Sequence, residues 1–149
     1  PAAPPAEAGA VALLMTVPLL HVDYALLQGD PELESNVVAK VREGVAVTIG
    51  PPLLPVSVSV ALGPGNAGSA VVRATITPPR RYSVNLLRGH IMAVAGYIRS
   101  NVADNLNDLA AIGRVLAGGR VECSDAGFSV TLLEPVTVPA LRPSPGAPP

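Results

Sequence analysis

An alternation of apolar and polar residues on both sides of a glycine-rich segment is the clearest pattern in the chain. In VSVSV, residues 56–60, valines alternate with serines, and in VRATI, residues 72–76, apolar residues alternate with Arg and Thr. A period of two places one set of side chains on a buried face. The intervening GPGNAG, residues 63–68, supplies the glycines that a chain reversal needs, and Pro78 and Pro79 end the second run. The pattern predicts a β-hairpin with Val58, Val60, Val72 and Ile76 buried and with Ser57, Ser59, Arg73 and Thr75 exposed.

Three further segments carry apolar residues at helical spacing. The first is capped by Asp30, has Pro31 at its first position and ends before Gly50. Ser83 caps the second. The third is stopped by the pair of glycines at 118–119, and the stretch 100–107 before it is either a break or a continuation. The three apolar stripes are Leu33, Val37, Val38, Val41 and Val45; Leu87, Ile91, Val94 and Ile98; and Leu106, Leu109, Ile112, Val115 and Leu116.

Strands are predicted at both ends of this order. Residues 11–27 form an apolar first strand region that we expect to be bent or interrupted at Pro18. Alternation in 128–132 predicts a last strand, with 121–123 as a short partner across SDAG. The resulting order β-α-β-β-α-β predicts an α+β fold, a ferredoxin-like sandwich with one antiparallel sheet and the helices on one face.

The composition fits a single globular domain between two linkers. The chain has 149 residues, 49% of them hydrophobic, and a net charge of -1. Residues 1–10 and 140–149 are rich in proline and are expected to be linkers of a longer protein, with the domain at 11–139. The apolar run 11–27 is short and contains Pro18, His21 and Asp23, so no membrane insertion by this segment is expected.

Metal and cofactor sites are not indicated. A single cysteine, Cys123, and two histidines cannot build a disulfide framework or a Cys/His zinc site. His21 and Asp23 could lie on one strand face as paired ligands, but a third ligand is missing. Asp104 and Asp108 lack the glycine turn of a calcium loop. We therefore expect solvated side chains at these positions, no metal and no cofactor.

The glycine-rich segment also spells G-x-G-x-x-G, which is typical of dinucleotide-binding loops. Such a loop opens a helix and is followed by an acidic residue about 20 positions later. Here SAVVRATITPP follows, and no acidic residue occurs between Glu43 and Asp104. The pattern favours a hairpin over a nucleotide site, although an enzyme that uses the glycine loop stays open as an alternative.

A basic bias in the middle of the chain does not indicate a nucleic-acid site. Single-stranded RNA is read on such folds by aromatic side chains that stack on bases, but aromatics make up 3% of the chain and none lies in SAVVRATI. We expect a solvated face and no nucleic-acid partner. The arginines concerned are Arg73, Arg80, Arg81, Arg88 and Arg99.

The sequence Gly68-Ser69-Ala70-Val71-Val72 lies between the predicted second and third strands. In that position it resembles the G-S-V-V-V cleavage motif of SEA domains, which occur in membrane mucins and other cell-surface proteins. The resemblance covers roughly residues 19–138, and Ala70 stands where the family pattern has Val. It implies an interaction or spacer module of a larger surface or secreted protein, with protein partners or neighbouring domains of the same chain as its contacts.

The resemblance also implies a reaction at Gly68 and Ser69. In the family mechanism the Ser69 hydroxyl attacks the Gly68 carbonyl in an N-to-O acyl shift, and water then hydrolyses the ester. A serine hydroxyl is a weak nucleophile without a neighbouring base, and the family relies instead on strain that folding stores in the turn. The two halves are expected to stay associated. The alternative is an ordinary hairpin turn at Gly68-Ser69.

Two placements of the domain remain open at this stage. The first is extracellular or on the cell surface, although the sequence contains no N-x-S/T glycosylation site. The second is cytoplasmic, as a ferredoxin-like module that dimerises or binds a small ligand through its sheet without cleavage.

Overall fold

The computed structural model describes residues 12–51, 53, 55–79 and 82–133. The predicted linkers at 1–10 and 140–149 lie outside these residues, as do Val11, residues 134–139, Arg80 and Arg81. The elements in the described part are β1 Ala12–Asp23, α1 Tyr24–Gln28, α2 Pro31–Ile49, β2 Val58–Pro64, β3 Ser69–Ile76, α3 Val84–Ala93, α4 Ala95–Asn107, β4 Glu122–Cys123 and β5 Ser129–Leu133. Short 3-10 helices occupy Pro55–Ser57, Asn66–Gly68 and Ile112–Val115.

The described strands form one antiparallel sheet. Its order is β2-β3-β1, and both β4 and β5 pair with the free side of β1. The predicted α+β fold with an antiparallel sheet is therefore confirmed. Because two strands share the last position, the exact ferredoxin-like order stays a prediction. The expectation that 121–123 would pair with the last strand is wrong, since both segments pair with β1.

Pro18 explains why two separate strands, β4 and β5, pair with the side of β1 that faces away from β3. β1 runs through Pro18 without the interruption that was one of the two expectations, and the break falls on its partner instead. The backbone of Pro18 faces away from β3, and its carbonyl accepts a hydrogen bond from Ser124 N at 3.0 Å. Its ring nitrogen has no hydrogen to donate on that side. The partner chain leaves the ladder there and packs Gly127 against the Pro18 ring, 2.9 Å from where a Cβ would lie.

β1 ends earlier than the sequence pattern predicted. The strand stops at Asp23, and Tyr24–Gln28 is helical rather than extended. The Asp23 side chain caps this helix by accepting a hydrogen bond from Leu26 N at 3.1 Å. An Asp N-cap followed closely by the helix formers Ala25, Leu26, Leu27 and Gln28 favours a helix start, which the apolar run concealed.

The hairpin register is confirmed in its main features. Val58 pairs with Ile76 and Leu62 with Val72, and these side chains point to the core. Val58, Val72 and Ile76 are buried and Val60 is half-buried, whereas Ser59 and Arg73 are exposed and Ser57 and Thr75 are half-buried.

The helices pack on one face of this sheet. Alternate residues of β1 share one hydrophobic core with α2, α3 and α4, whereas their neighbours on the opposite face are half-buried. Asp30 caps α2 through Leu33 N and Ser83 caps α3 through Leu86 N, as predicted. The chain bends at Val94, and α4 continues through 100–107.

The predicted third helix is wrong beyond Asn107. The helix ends at Asn107, whose side-chain amide bonds the backbone of Val121, with Nδ2 donating to the carbonyl at 3.0 Å and Oδ1 accepting from the N–H at 2.9 Å. Gly113 weakens helix propensity in the following segment. What remains helical is the single 3-10 turn Ile112–Val115, whose end residues are buried.

Candidate functional site

The Gly68-Ser69 bond lies at the junction of a tight loop and β3. The loop turns through the 3-10 helix Asn66–Gly68, and Ser69 is the first residue of the strand. Two backbone bonds close the loop, from Ser69 N to the Asn66 carbonyl and from Gly65 N to the Ser69 carbonyl at 2.6 Å. A side chain at position 65 would collide with Val71. Gly65 therefore allows the loop to fold closely over the start of β3.

Backbone strain in this loop is at Ala67. Ala67 has φ 57° and ψ 27°, in the left-handed region that side chains with a Cβ rarely adopt. Gly68 also has a positive φ of 82°, which glycine accepts at little cost. Ser69 is extended, with φ -74° and ψ 160°. The strain thus lies one residue before the Gly68 carbonyl.

A second strained residue lies in the strand segment that faces this bond. The register between β1 and β3 shifts between Leu19 and Asp23, and Asp23 is the residue paired with Ser69. Within this bulge His21 has φ 72°. The two described non-glycine residues with positive φ are therefore His21, in the bulge that ends at the partner of Ser69, and Ala67, two residues before Ser69. Such outliers concentrate at functional sites and tight turns.

The structure does not bring His21 and Asp23 together as ligands. His21 Nδ1 contacts the Arg120 carbonyl at 2.9 Å, and the His21 carbonyl accepts a bond from Ala117 N at 2.7 Å. Asp23 is committed to the cap of α1. Within the described ranges, no group of three or more His, Cys, Asp or Glu side chains could hold a metal ion.

An open depression of about 660 Å³ lies beside Ser69 on the sheet face that the helices leave bare. Its lining includes Thr16 and Pro18 of β1 and Ser69 and Arg73 of β3. Arg73 is the charged residue among its described lining residues, which include no His, Asp, Glu or Lys. Its guanidinium lies against Gly63, with Nη1 2.7 Å from where a Cβ would be. No side chain that could act as a base on Ser69 lines this depression.

The second histidine belongs to a different part of the fold. His90 Nε2 contacts the Ile49 carbonyl at 2.9 Å, at the end of α2. It therefore caps a helix terminus on the helical side of the sheet.

The glycine-rich loop does not have the structure of a dinucleotide site. β3 follows the loop directly, so the helix N-terminus that would face a pyrophosphate is replaced by a strand.

The arginines singled out in the sequence do not share one surface in the described part of the chain. Arg88 Nε donates to the Val130 carbonyl at 3.2 Å. Arg99 pairs with Asp125 at 3.3 Å and lies over the Phe128 ring at 5.4 Å. Arg73 is on the opposite face, in the depression beside Ser69.

The thiol of Cys123 is unreactive in this fold. Burial raises the pKa of the Cys123 thiol from 9.0 to about 12, against an opposing effect of Arg99. A thiol with this pKa stays protonated at neutral pH and is a poor nucleophile. Cys123 is therefore a core-side packing residue rather than part of the site.

Sequence reasoning found the bond at Gly68-Ser69 but missed the two strained residues. The segment GPGNAG predicts positive φ angles at its glycines, but it does not indicate which other residue adopts one. The bulge at His21 left no signal in the sequence, because it arises from the register between two strands that are distant in the chain.

No family model, curated protein or solved structure matches this chain. In the part that the structure describes, no helix has the length and apolar character needed to cross a bilayer.

Proposed function

We propose that this chain is a SEA-like interaction or spacer module of a larger surface or secreted protein, and that it cleaves its own Gly68-Ser69 bond. The observation that carries the proposal is the position of this bond. It separates β2 from β3, and β3 pairs with β2 on one side and with β1 on the other. Each strand that borders the bond is held by strands of the other half.

The proposed reaction has two steps. Ser69 Oγ adds to the Gly68 carbonyl carbon, the C–N bond breaks, and the hydroxyl proton passes to the nitrogen, which becomes the free amine of Ser69. Water then adds to the ester, releasing a Gly68 carboxylate and restoring the serine hydroxyl. One water molecule is consumed, and no cofactor is needed.

Strain rather than a base is the proposed driving force. A left-handed Ala costs about 1 to 2 kcal/mol, and Ala67 is tied to the reacting peptide by the bonds that close the loop. Opening the Gly68-Ser69 bond would release this constraint without uncovering the core. Cleavage of this kind occurs once in each molecule. The two halves of the cleaved chain would then stay associated through the sheet.

The ester intermediate offers a sharp test of this reaction. Hydroxylamine attacks esters faster than water does, so it should accelerate fragment formation in the wild type and leave a hydroxamate on Gly68. Ser69→Ala should form no fragments, and Ser69→Cys should form them because a thiol can make the same attack. Fragments that persist in Ser69→Ala would point to a contaminating protease, and an intact wild type with hydroxylamine would establish an ordinary turn.

The surface placement has a separate test. Determining the reading frame upstream of Pro1 in the full-length transcript should find a signal peptide. A full-length protein that lacks one would favour the cytoplasmic alternative, whatever the outcome at Gly68-Ser69.

A further inference from the structure

Among the described strands, β2 lies at the outside of the sheet and pairs with β3. Its sequence, VSVALGP, contains no charged residue. Edge strands are commonly protected by lysines, bulges or covering elements, because free N–H and C=O groups accept another strand. Only part of the β2 edge is protected in this way, and the positions of the protected backbone groups restrict which strand can pair with it.

Two hydrogen bonds show which backbone groups face this edge. Thr77 N donates to the Ser57 carbonyl at 2.9 Å, and Gly65 N donates to the Ser69 carbonyl at 2.6 Å. Because antiparallel pairs alternate between bonded and non-bonded positions, every second residue from Ser57 to Gly65 bonds to β3. The residues whose backbone groups point outward are therefore Val58, Val60, Leu62 and Pro64.

Two of these outward positions differ from the others. The Val58 carbonyl already accepts a hydrogen bond from Arg42 Nε at 3.1 Å. Pro64 has a carbonyl but no N–H. For Val60 and Leu62, the described chain provides no partner to the outward N–H or C=O.

We propose that β2 pairs with β2 of a second copy of this chain, antiparallel, about a two-fold axis at Ala61. In this register Val60 lies opposite Leu62 of the second copy, and Val58 lies opposite Pro64. The N–H groups of Val60 and Leu62 then donate to the carbonyls of Leu62 and Val60, and the same bonds recur by symmetry. Opposite Pro64, which has no N–H, neither backbone group of Val58 needs this pairing, because its N–H closes the 3-10 turn Pro55–Ser57 and its carbonyl is bonded to Arg42.

The arrangement of backbone donors and acceptors along β2 favours a second copy of the chain over an unrelated peptide. A two-fold interface presents the same patch twice, so its donors and acceptors must be complementary to themselves. The edge of β2 meets that condition about Ala61, including the match between a capped carbonyl and a missing donor. An unrelated strand would gain nothing from that match.

Charges beside the edge agree with the two-fold arrangement. A groove of about 430 Å³ separates β2 from α2, and Glu34 lines it next to Val60 and Leu62. Arg42 lies further along α2, at Val58. The two-fold axis reverses α2 of the second copy, so the Arg42 end of one helix turns toward the Glu34 end of the other.

Amide exchange is a direct test of this pairing. It should be measured by NMR in Ser69→Ala, so that a failed dimer is distinguishable from a failed cleavage. As protein concentration rises from micromolar to millimolar, the Val60 and Leu62 amides should become protected. The Ala61 and Gly63 amides, which bond to β3, should be protected throughout. Exchange at Val60 and Leu62 that does not change with concentration would overturn the proposal, even if a dimer formed elsewhere.

A matched pair of substitutions gives the second arm. Ala61 is exposed and lies opposite Arg73 within the sheet, so Ala61→Glu adds a favourable cross-strand pair in the monomer and places two carboxylates together at the two-fold axis. It should weaken the dimer by about tenfold or more in analytical ultracentrifugation. Thr131→Glu, at an exposed position on β5, should leave the dimer unchanged. A wild type that stays monomeric at millimolar concentration, or equal effects of the two substitutions, would contradict pairing through β2.

Discussion

Val72→Ala tests the sheet at its centre. Val72 is 0% exposed, and it pairs with Val17 of β1 and Leu62 of β2. The substitution removes two buried methyl groups, worth roughly 1.6 kcal/mol at about 0.8 kcal/mol each, and leaves a cavity flanked by two strands that cannot readily collapse. The free energy of unfolding should fall by about 2 to 3 kcal/mol in total.

Urea unfolding, followed by circular dichroism, measures this difference. Both proteins should carry Ser69→Ala, so that each is a single chain with a defined two-state transition. Val47→Ala is the control, since Val47 is 69% exposed on α2 and alanine favours a helix. The control should stay within about 0.5 kcal/mol of its parent. If Val72→Ala also stayed within that margin, the assignment of Val72 to the buried face would be refuted.

Three further substitutions test other parts of the structure. Asn107→Ala should lower the free energy of unfolding by about 2 kcal/mol, because it leaves the N–H and C=O of Val121 without their partner; an unchanged urea midpoint would contradict this. Ala67→Gly should raise the free energy of unfolding of the uncleaved chain by about 0.5 kcal/mol, because glycine accepts the left-handed φ without strain. It should also slow fragment formation, and faster cleavage would show that strain at Ala67 does not drive the reaction. The pKa of Cys123, 9.0 normally, is raised by burial to about 12 in the fold, so its stabilising effect should be complete below pH 9.0 and decline as pH rises toward 12. Urea titrations at increasing pH should show this decline in the wild type and a smaller one in Cys123→Ala.

Local patterns were sufficient for the hairpin and the helix starts. The register of β2 and β3 followed from the alternation of side chains, and the caps at Asp30 and Ser83 followed from residues that satisfy free N–H groups. These features depend on neighbours in sequence, which is why a single sequence can predict them.

Features that depend on distant partners were not predictable in the same way. Pro18 was expected to disturb its own strand, but the structure transfers the break to the strand paired with it. The helix expected to continue past Asn107 ends there, at the residue whose side chain bonds the distant backbone of Val121. The positive φ of His21 lies in a bulge set by the register between β1 and β3. Each outcome was decided by a contact between segments whose relative position the sequence does not encode locally.

Mass analysis of the native protein tests the central claim most directly. Purified wild type should be incubated for days near neutral pH and run on native size exclusion, and the main peak should be analysed by intact mass in denaturant. The account predicts one native peak that contains two fragments, the first ending at Gly68 and the second beginning at Ser69, because β3 stays paired with β1 and β2 across the break. A single intact chain in that peak would contradict self-cleavage. Fragments that elute separately would contradict the proposed association of the two halves after cleavage.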